Sequence, residues 1–172
     1  MSLTTWDYTY VVSNRLPGLL LLILIMLALP VSAFAGDQRW GISIWGLSYH
    51  VDRSVDYNED NWGLGLRYYP KPDRLFVEVD ALRNSHRGLV LPVSAGLEFR
   101  IAPLPAGCKL SGVAALTAAY YRYPDQDRTD FKIGPVPGVT IGCGRVKTNL
   151  IAVLRKSSEP LAALTLSVTI MF

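Results

Sequence analysis

Only two histidines stand in the 172-residue chain, His50 and His86. His50 closes one segment of alternating apolar residues. Asn84-Ser85-His86 closes another. If those two segments run the same way, a serine hydroxyl and an imidazole share one rim. That pair is the minimum for base-assisted acyl transfer, in which the imidazole takes the proton as the hydroxyl attacks an ester carbonyl. A third group has to orient the ring. The same residues have a plainer use, because a histidine at a strand end is commonly solvated and a serine beside an asparagine serves turns. The sequence carries no nucleophile elbow, zinc motif or phosphate loop.

The elements that must position these groups read as strands. Segments of about ten residues alternate with period two and are separated by Pro, Gly, Asp and Asn. The last is the clearest: Ala162, Leu164, Leu166, Val168, Ile170 and Phe172 form a fully apolar row. Trp62, Leu64, Leu66 and Tyr68 form another, and so do Leu75, Val77, Val79 and Ala81. Leu91, Val93, Ala95, Leu97, Phe99 and Ile101 form a fourth. The first strand, from Trp40 to Val51, puts Trp45, Leu47, Tyr49 and Val51 on its apolar side, although Ile42 and Ile44 have the parity of His50. Residues 109–123 are too apolar on both faces to phase. Residues 136–143 and 146–154 complete a count of eight. Pro135 and Pro137 donate no ladder hydrogen bond, so they imply a strand start or a local gap in pairing there.

A leader precedes these strands. Arg15, the apolar run Leu19–Leu29 and the small residues Ala33-Phe34-Ala35 have the layout of a secretory signal. Cleavage after Ala35 leaves residues 36–172 as the domain. A retained membrane helix is the competing reading, and Pro17, Gly18 and Pro30 break it. At 50% hydrophobic and 18% charged the chain is not intrinsically disordered. A net charge of +3, without a cluster of basic residues, gives no reason to expect nucleic acid. No cofactor or metal set is evident. Cys108 and Cys143 are either a disulfide or two unpaired small wall residues.

Such strands fit a soluble sandwich or lipocalin-like barrel with its apolar rows inside, or a transmembrane barrel with them outside. Three features favour the second. Arg67, Glu78, Asp80, Glu98 and Arg100 occupy the opposite rows, where a narrow lumen lets them pair. Aromatics gather near strand ends (Trp40, Trp62, Tyr68, Tyr69, Tyr120, Tyr121, Tyr123), as an interfacial girdle requires. Phe172 ends an apolar row in the manner of a bacterial outer-membrane assembly signal, so the assembly machinery is an expected partner. The expected fold is all-β: an eight-stranded antiparallel transmembrane β-barrel of the outer-membrane type, with a lumen wide enough for side chains or one acyl chain.

Tyr49-His50, Asp56-Tyr57-Asn58-Glu59 and Trp62-Gly63 together resemble the first strand and loop of the lipid A palmitoyltransferase family. Ala81-Leu82-Arg83-Asn84-Ser85 resembles that family's stretch with an Asp-Ser pair. The Pro- and Gly-marked segments around Arg100, Pro103-Leu104, Pro135-Val136-Pro137 and Gly142–Gly144 extend the likeness. The resemblance implies an acyltransferase of the bacterial outer membrane that moves palmitate from a phospholipid to lipid A. His50 would be the base, Ser85 the hydroxyl partner and Asn84 an orienting amide at the family's acidic position. Since Asn84 has no charge, either a neighbour such as Asp80 or Asp52 supplies the carboxylate, or acyl transfer is weak or absent. Two other functions compete: a nonenzymatic barrel (structural, binding, or a narrow transporter lined by Arg67 and Arg100), and a surface lipase or deacylase using the same rim pair.

Overall fold

The computed structural model describes residues 38–172 apart from 53, 55, 125–127 and 155–160. The expected leader, residues 1–35, lies outside the described residues. Eight strands follow one another: β1 (Trp40–His50), β2 (Asp60–Lys71), β3 (Leu75–Arg83), β4 (Leu89–Pro103), β5 (Lys109–Tyr123), β6 (Arg128–Cys143), β7 (Val146–Leu154) and β8 (Leu161–Met171). Each is antiparallel to the next, and β8 returns to pair with β1, closing the barrel. Closure gives every strand a neighbour on both sides. The rim with the short turns holds both Trp40 and Phe172, whose backbones bond reciprocally at 3.3 and 2.8 Å. We call this rim the lower one; β1 and β3 both climb from it.

The alternating rows dictate which way the wall faces. Trp62, Leu64, Val79, Leu97, Phe131 and Ile133 are exposed on the outside. Arg67, Glu78, Asp80, Glu98, Lys147 and Asn149 are buried within. Apolar side chains outward and charged ones inward invert the rule for a soluble protein and match a barrel surrounded by lipid. The strands run from 9 to 16 residues, enough for a tilted crossing of a bilayer core.

The mismatch of parity in β1 has a local cause. The register slips between Trp45 and Leu47 against both neighbours. A bulge of this kind adds one residue and flips everything beyond it. Ile42 and Ile44 therefore face outward below the slip, and Tyr49 faces outward above it. Trp45 does not join the outer row as its spacing predicted. It turns inward, and its indole N–H donates to Asp80 at 2.8 Å.

Three other expectations need correction. Tyr69, Tyr121 and Tyr123 are not girdle residues, because each lies on the lumen parity of its strand. Tyr69 is 1% exposed and donates its hydroxyl proton to Glu98 at 2.8 Å. Trp40, Trp62 and Tyr120 do remain outside. Arg100 keeps the inward parity of Glu98, opposite Ser111, but it sits exposed at the lower end of β4 rather than paired within the lumen. β6 begins eight residues before Val136, at Arg128. Its upper half pairs only with β5, since its pairs with β7 start at Gly138. Pro135 and Pro137 fall in that stretch, so they mark the predicted gap in pairing.

The lower half of the lumen is filled with polar groups that pair with one another. Arg67 pairs with Glu78 at 2.6 Å, and Glu78 also accepts from Ser43 at 2.5 Å. Lys147 donates to Glu98 at 3.0 Å, Asp73 at 3.0 Å and Tyr69 at 3.1 Å. Lys109 pairs with Asp73 from the rim. Asn149 links Thr140, Ser167 and Thr169. Tyr69, Phe76, Val113, Ile151 and Met171 pack as the apolar core among them. Arg67, Glu78, Lys147 and Glu98 are tolerated here because each meets an opposite charge and further hydrogen bonds. Cys108 and Cys143 form a disulfide at this rim, resolving the alternative left open by the sequence.

Candidate functional site at the upper rim

β1 delivers His50 to the upper rim, and β3 delivers the turn that follows it. That turn is built by Asn84. Its carboxamide oxygen accepts from the backbone N–H of His86 at 2.9 Å and of Gly88 at 2.8 Å. Its amide nitrogen donates to the carbonyls of Leu89 at 3.3 Å and Arg122 at 2.8 Å. Asparagine suits this work because a short amide mimics a backbone turn. The sequence placed Asn84 on the imidazole as an orienting amide. The structure instead gives its amide four backbone partners that hold the loop in shape.

The loop so held points Ser85 at His50. Ser85 Oγ lies 2.7 Å from His50 Nε2. The Ser85 carbonyl is tied to the first loop by the Asn58 N–H at 2.8 Å. His50 is only 8% exposed and its ring stacks on Tyr57 with centroids 4.5 Å apart. Two of the residues predicted to act together are therefore brought together.

The acid near the imidazole is neither Asp80 nor Asp52. Asp80 lies deeper in the lumen against Trp45, and Asp52 accepts from the Ser54 N–H at 3.0 Å and hydroxyl at 2.6 Å. It is Glu59. Its Oε1 accepts the His50 backbone N–H at 3.1 Å and stands 3.9 Å from His50 Nδ1. The separation is longer than a hydrogen bond yet close enough for an anion to stabilise an imidazolium. A signal for Glu59 was present: it directly precedes β2, and a β1–β2 hairpin lays the start of β2 beside the end of β1.

Ser85 and His50 open onto a cavity of about 340 Å³ in the upper lumen. Its walls are mostly small or apolar, including Val90, Val113, Ala119, Val136 and Ile151; Arg67, Glu78 and Asp80 lie below. The size is at the lower end of ordinary ligand sites. Among the described residues, no three His, Cys, Asp or Glu side chains converge as a metal set. The arrangement supplies a hydroxyl, a base, an anion behind the base and an apolar chamber. These are the parts needed to cleave or form an acyl ester.

No protein-family model and no curated protein matches the sequence. Among solved structures, the crystal structure of Ail, the attachment invasion locus protein of Yersinia pestis, is similar at 17% identity. The match covers 80% of this chain and 100% of that one, with a TM-score of 0.41.

Proposed function

We propose that the chain is a bacterial outer-membrane barrel whose rim serine and histidine transfer an acyl chain from a phospholipid to lipid A. The observation that carries the reading is the 2.7 Å approach of Ser85 Oγ to His50 Nε2 over an apolar chamber. Location in an outer membrane is supported by the apolar belt and by the disulfide, which suits an oxidising compartment.

In this reaction the acyl tail of the donor occupies the chamber and its ester carbonyl meets Ser85. As Oγ bonds to the carbonyl carbon, its proton passes to His50 Nε2. Glu59 offsets the positive charge that forms on the ring. The proton then goes to the departing lysophospholipid oxygen, leaving an acyl-serine. An acceptor hydroxyl reverses the sequence: it gives its proton to His50, bonds to the acyl carbon and releases Ser85. Water in place of that hydroxyl gives a deacylase, so the acceptor alone separates the two outcomes.

The test is expression of the full chain in a strain without lipid A acyl-modifying enzymes, followed by mass spectrometry of lipid A and phospholipids. Added acyl mass that vanishes in Ser85→Ala and His50→Ala supports the reading. Unchanged lipids defeat it. A second reading, a nonenzymatic structural or binding barrel, is favoured by the amount of lumen given over to fixed ion pairs. It predicts that both alanine variants leave function intact. Transport finds little support, because Arg67 is locked to Glu78 and Arg100 stands exposed at the lower rim.

A further inference from the structure

Across the chamber mouth from His50 stands a group that the reaction above does not use. His86 follows Ser85 directly, and its ring meets the edges of Tyr57 and Tyr123 with centroids 5.6 and 5.0 Å away. Tyr123 accepts a hydrogen bond from Lys132 Nζ at 2.9 Å. The same ammonium sits over the Tyr121 and Tyr123 rings, 4.8 and 5.5 Å from their centroids. Lys132, His86, Tyr121 and Tyr123 all line the chamber that holds Ser85.

The charge balance at this spot is unlike that of the floor. Every floor cation named above has a carboxylate partner. Among the described residues, Lys132 has one hydrogen bond, to the Tyr123 hydroxyl, and no carboxylate within ion-pair distance. Asp130, two positions along on the same strand, faces Arg128 through a two-pronged contact at 2.8 and 2.9 Å. Neither ring nitrogen of His86 has a hydrogen-bond partner among the described residues. An ammonium held on aromatic faces, with donors left over and an imidazole against the same Tyr123 ring, offers a receptor for an anion. In a glycerophospholipid the phosphate lies a few bonds from its ester carbonyls.

We propose that Lys132, with His86 and Tyr123, binds the phosphodiester of a glycerophospholipid and so sets which of its esters reaches Ser85. The inference rests on the acyl-ester reading of the rim site, but its binding step is measured without turnover. The probe is dihexanoylphosphatidylglycerol titrated by calorimetry into the full chain carrying Ser85→Ala, refolded in a neutral detergent. Dihexanoylglycerol and inorganic phosphate are run beside it.

The expected result is that the phospholipid binds at least tenfold more tightly than the diacylglycerol. Lys132→Met should abolish that preference, Lys132→Arg should keep most of it, and inorganic phosphate should bind far more weakly. Equal binding of the two lipids overturns the proposal. So does an undiminished preference in a folded Lys132→Met barrel, or phosphate binding as tightly as the lipid. If the headgroup preference is present while the chain with Ser85 intact turns over no ester, the catalytic reading fails and the headgroup site stands.

Discussion

Ser85 and His50 are 35 positions apart in the chain and touch at 2.7 Å, held there by two different loops. The contact needs β1 and β3 to end at the same height, and it needs the Asn84 turn to aim the hydroxyl inward. Replacing either partner with alanine should lower kcat/KM for an acyl ester by ~100- to 10,000-fold, the usual worth of a positioned base or nucleophile. Glu59→Gln should cost less, roughly tenfold, because the carboxylate stands off at 3.9 Å. Ester turnover by purified variants of equal thermal stability checks both.

Gly88 sets the aim of that turn. A Cβ at this position would lie 1.9 Å from the backbone oxygen of Arg122. Moving that carbonyl would strain its bond from Asn84, and moving residue 88 would strain its own N–H bond to Asn84. Gly88→Ala should therefore reduce ester turnover at least tenfold while leaving the barrel folded by circular dichroism. Activity equal to wild type would show that the turn has slack.

Glu78→Gln should be strongly destabilising, by about 3 to 5 kcal/mol, because it leaves the Arg67 guanidinium buried beside a neutral amide. The combined change Arg67→Met with Glu78→Gln should recover much of that loss. Guanidinium unfolding in detergent, followed by tryptophan fluorescence, reads both variants.

Reduction of Cys108–Cys143, or replacement of both residues by serine, should lower stability by about 3 to 4 kcal/mol on the loop-closure account. The bridge spans 35 positions. Melting with and without reductant should separate wild type from the double variant only in the absence of reductant.

Asp73, in the lower turn between β2 and β3, gives a pH signature. Partial burial pushes its carboxyl upward, yet the hydrogen bond from Lys109 and the charge of Lys147 hold it below its ordinary value. A depressed carboxyl contributes stability above its unfolded pKa, about 4, and loses that contribution as pH falls through the lower folded value. Asp73→Asn should thus be slightly less stable than wild type at pH 7, by no more than about 1 kcal/mol for so exposed a group. The two should converge below pH 4 in parallel denaturant titrations.

The strand rows were legible because period-two alternation survives without any knowledge of partners. Trp62 to Leu66 and Leu75 to Ala81 fall on the faces their spacing predicts. What the spacing hid was non-local. The slip after Trp45 shows in the sequence only as two isoleucines of the wrong parity. Tyr69 and Tyr68 are the same residue type one position apart, and only alternation assigns one to the lumen. At the site, Ser85 and His50 were readable as chemistry at strand ends. Asn84 was assigned to the ring because its neighbour was reactive, whereas its four backbone contacts arise from the fold of its own turn. Glu59 was passed over because the carboxylates Asp80 and Asp52 were weighed instead, and Lys132 because β6 was read too short to include it.

The filled lower half of the lumen makes the upper chamber a cul-de-sac. A molecule that enters cannot pass through the floor without dismantling the Arg67–Glu78 and Lys147–Glu98 pairs, so it departs from the same half of the wall that admitted it. On the acyl-transfer proposal, chemistry in this chamber would be confined to one leaflet, and the composition of the opposite side would stay untouched.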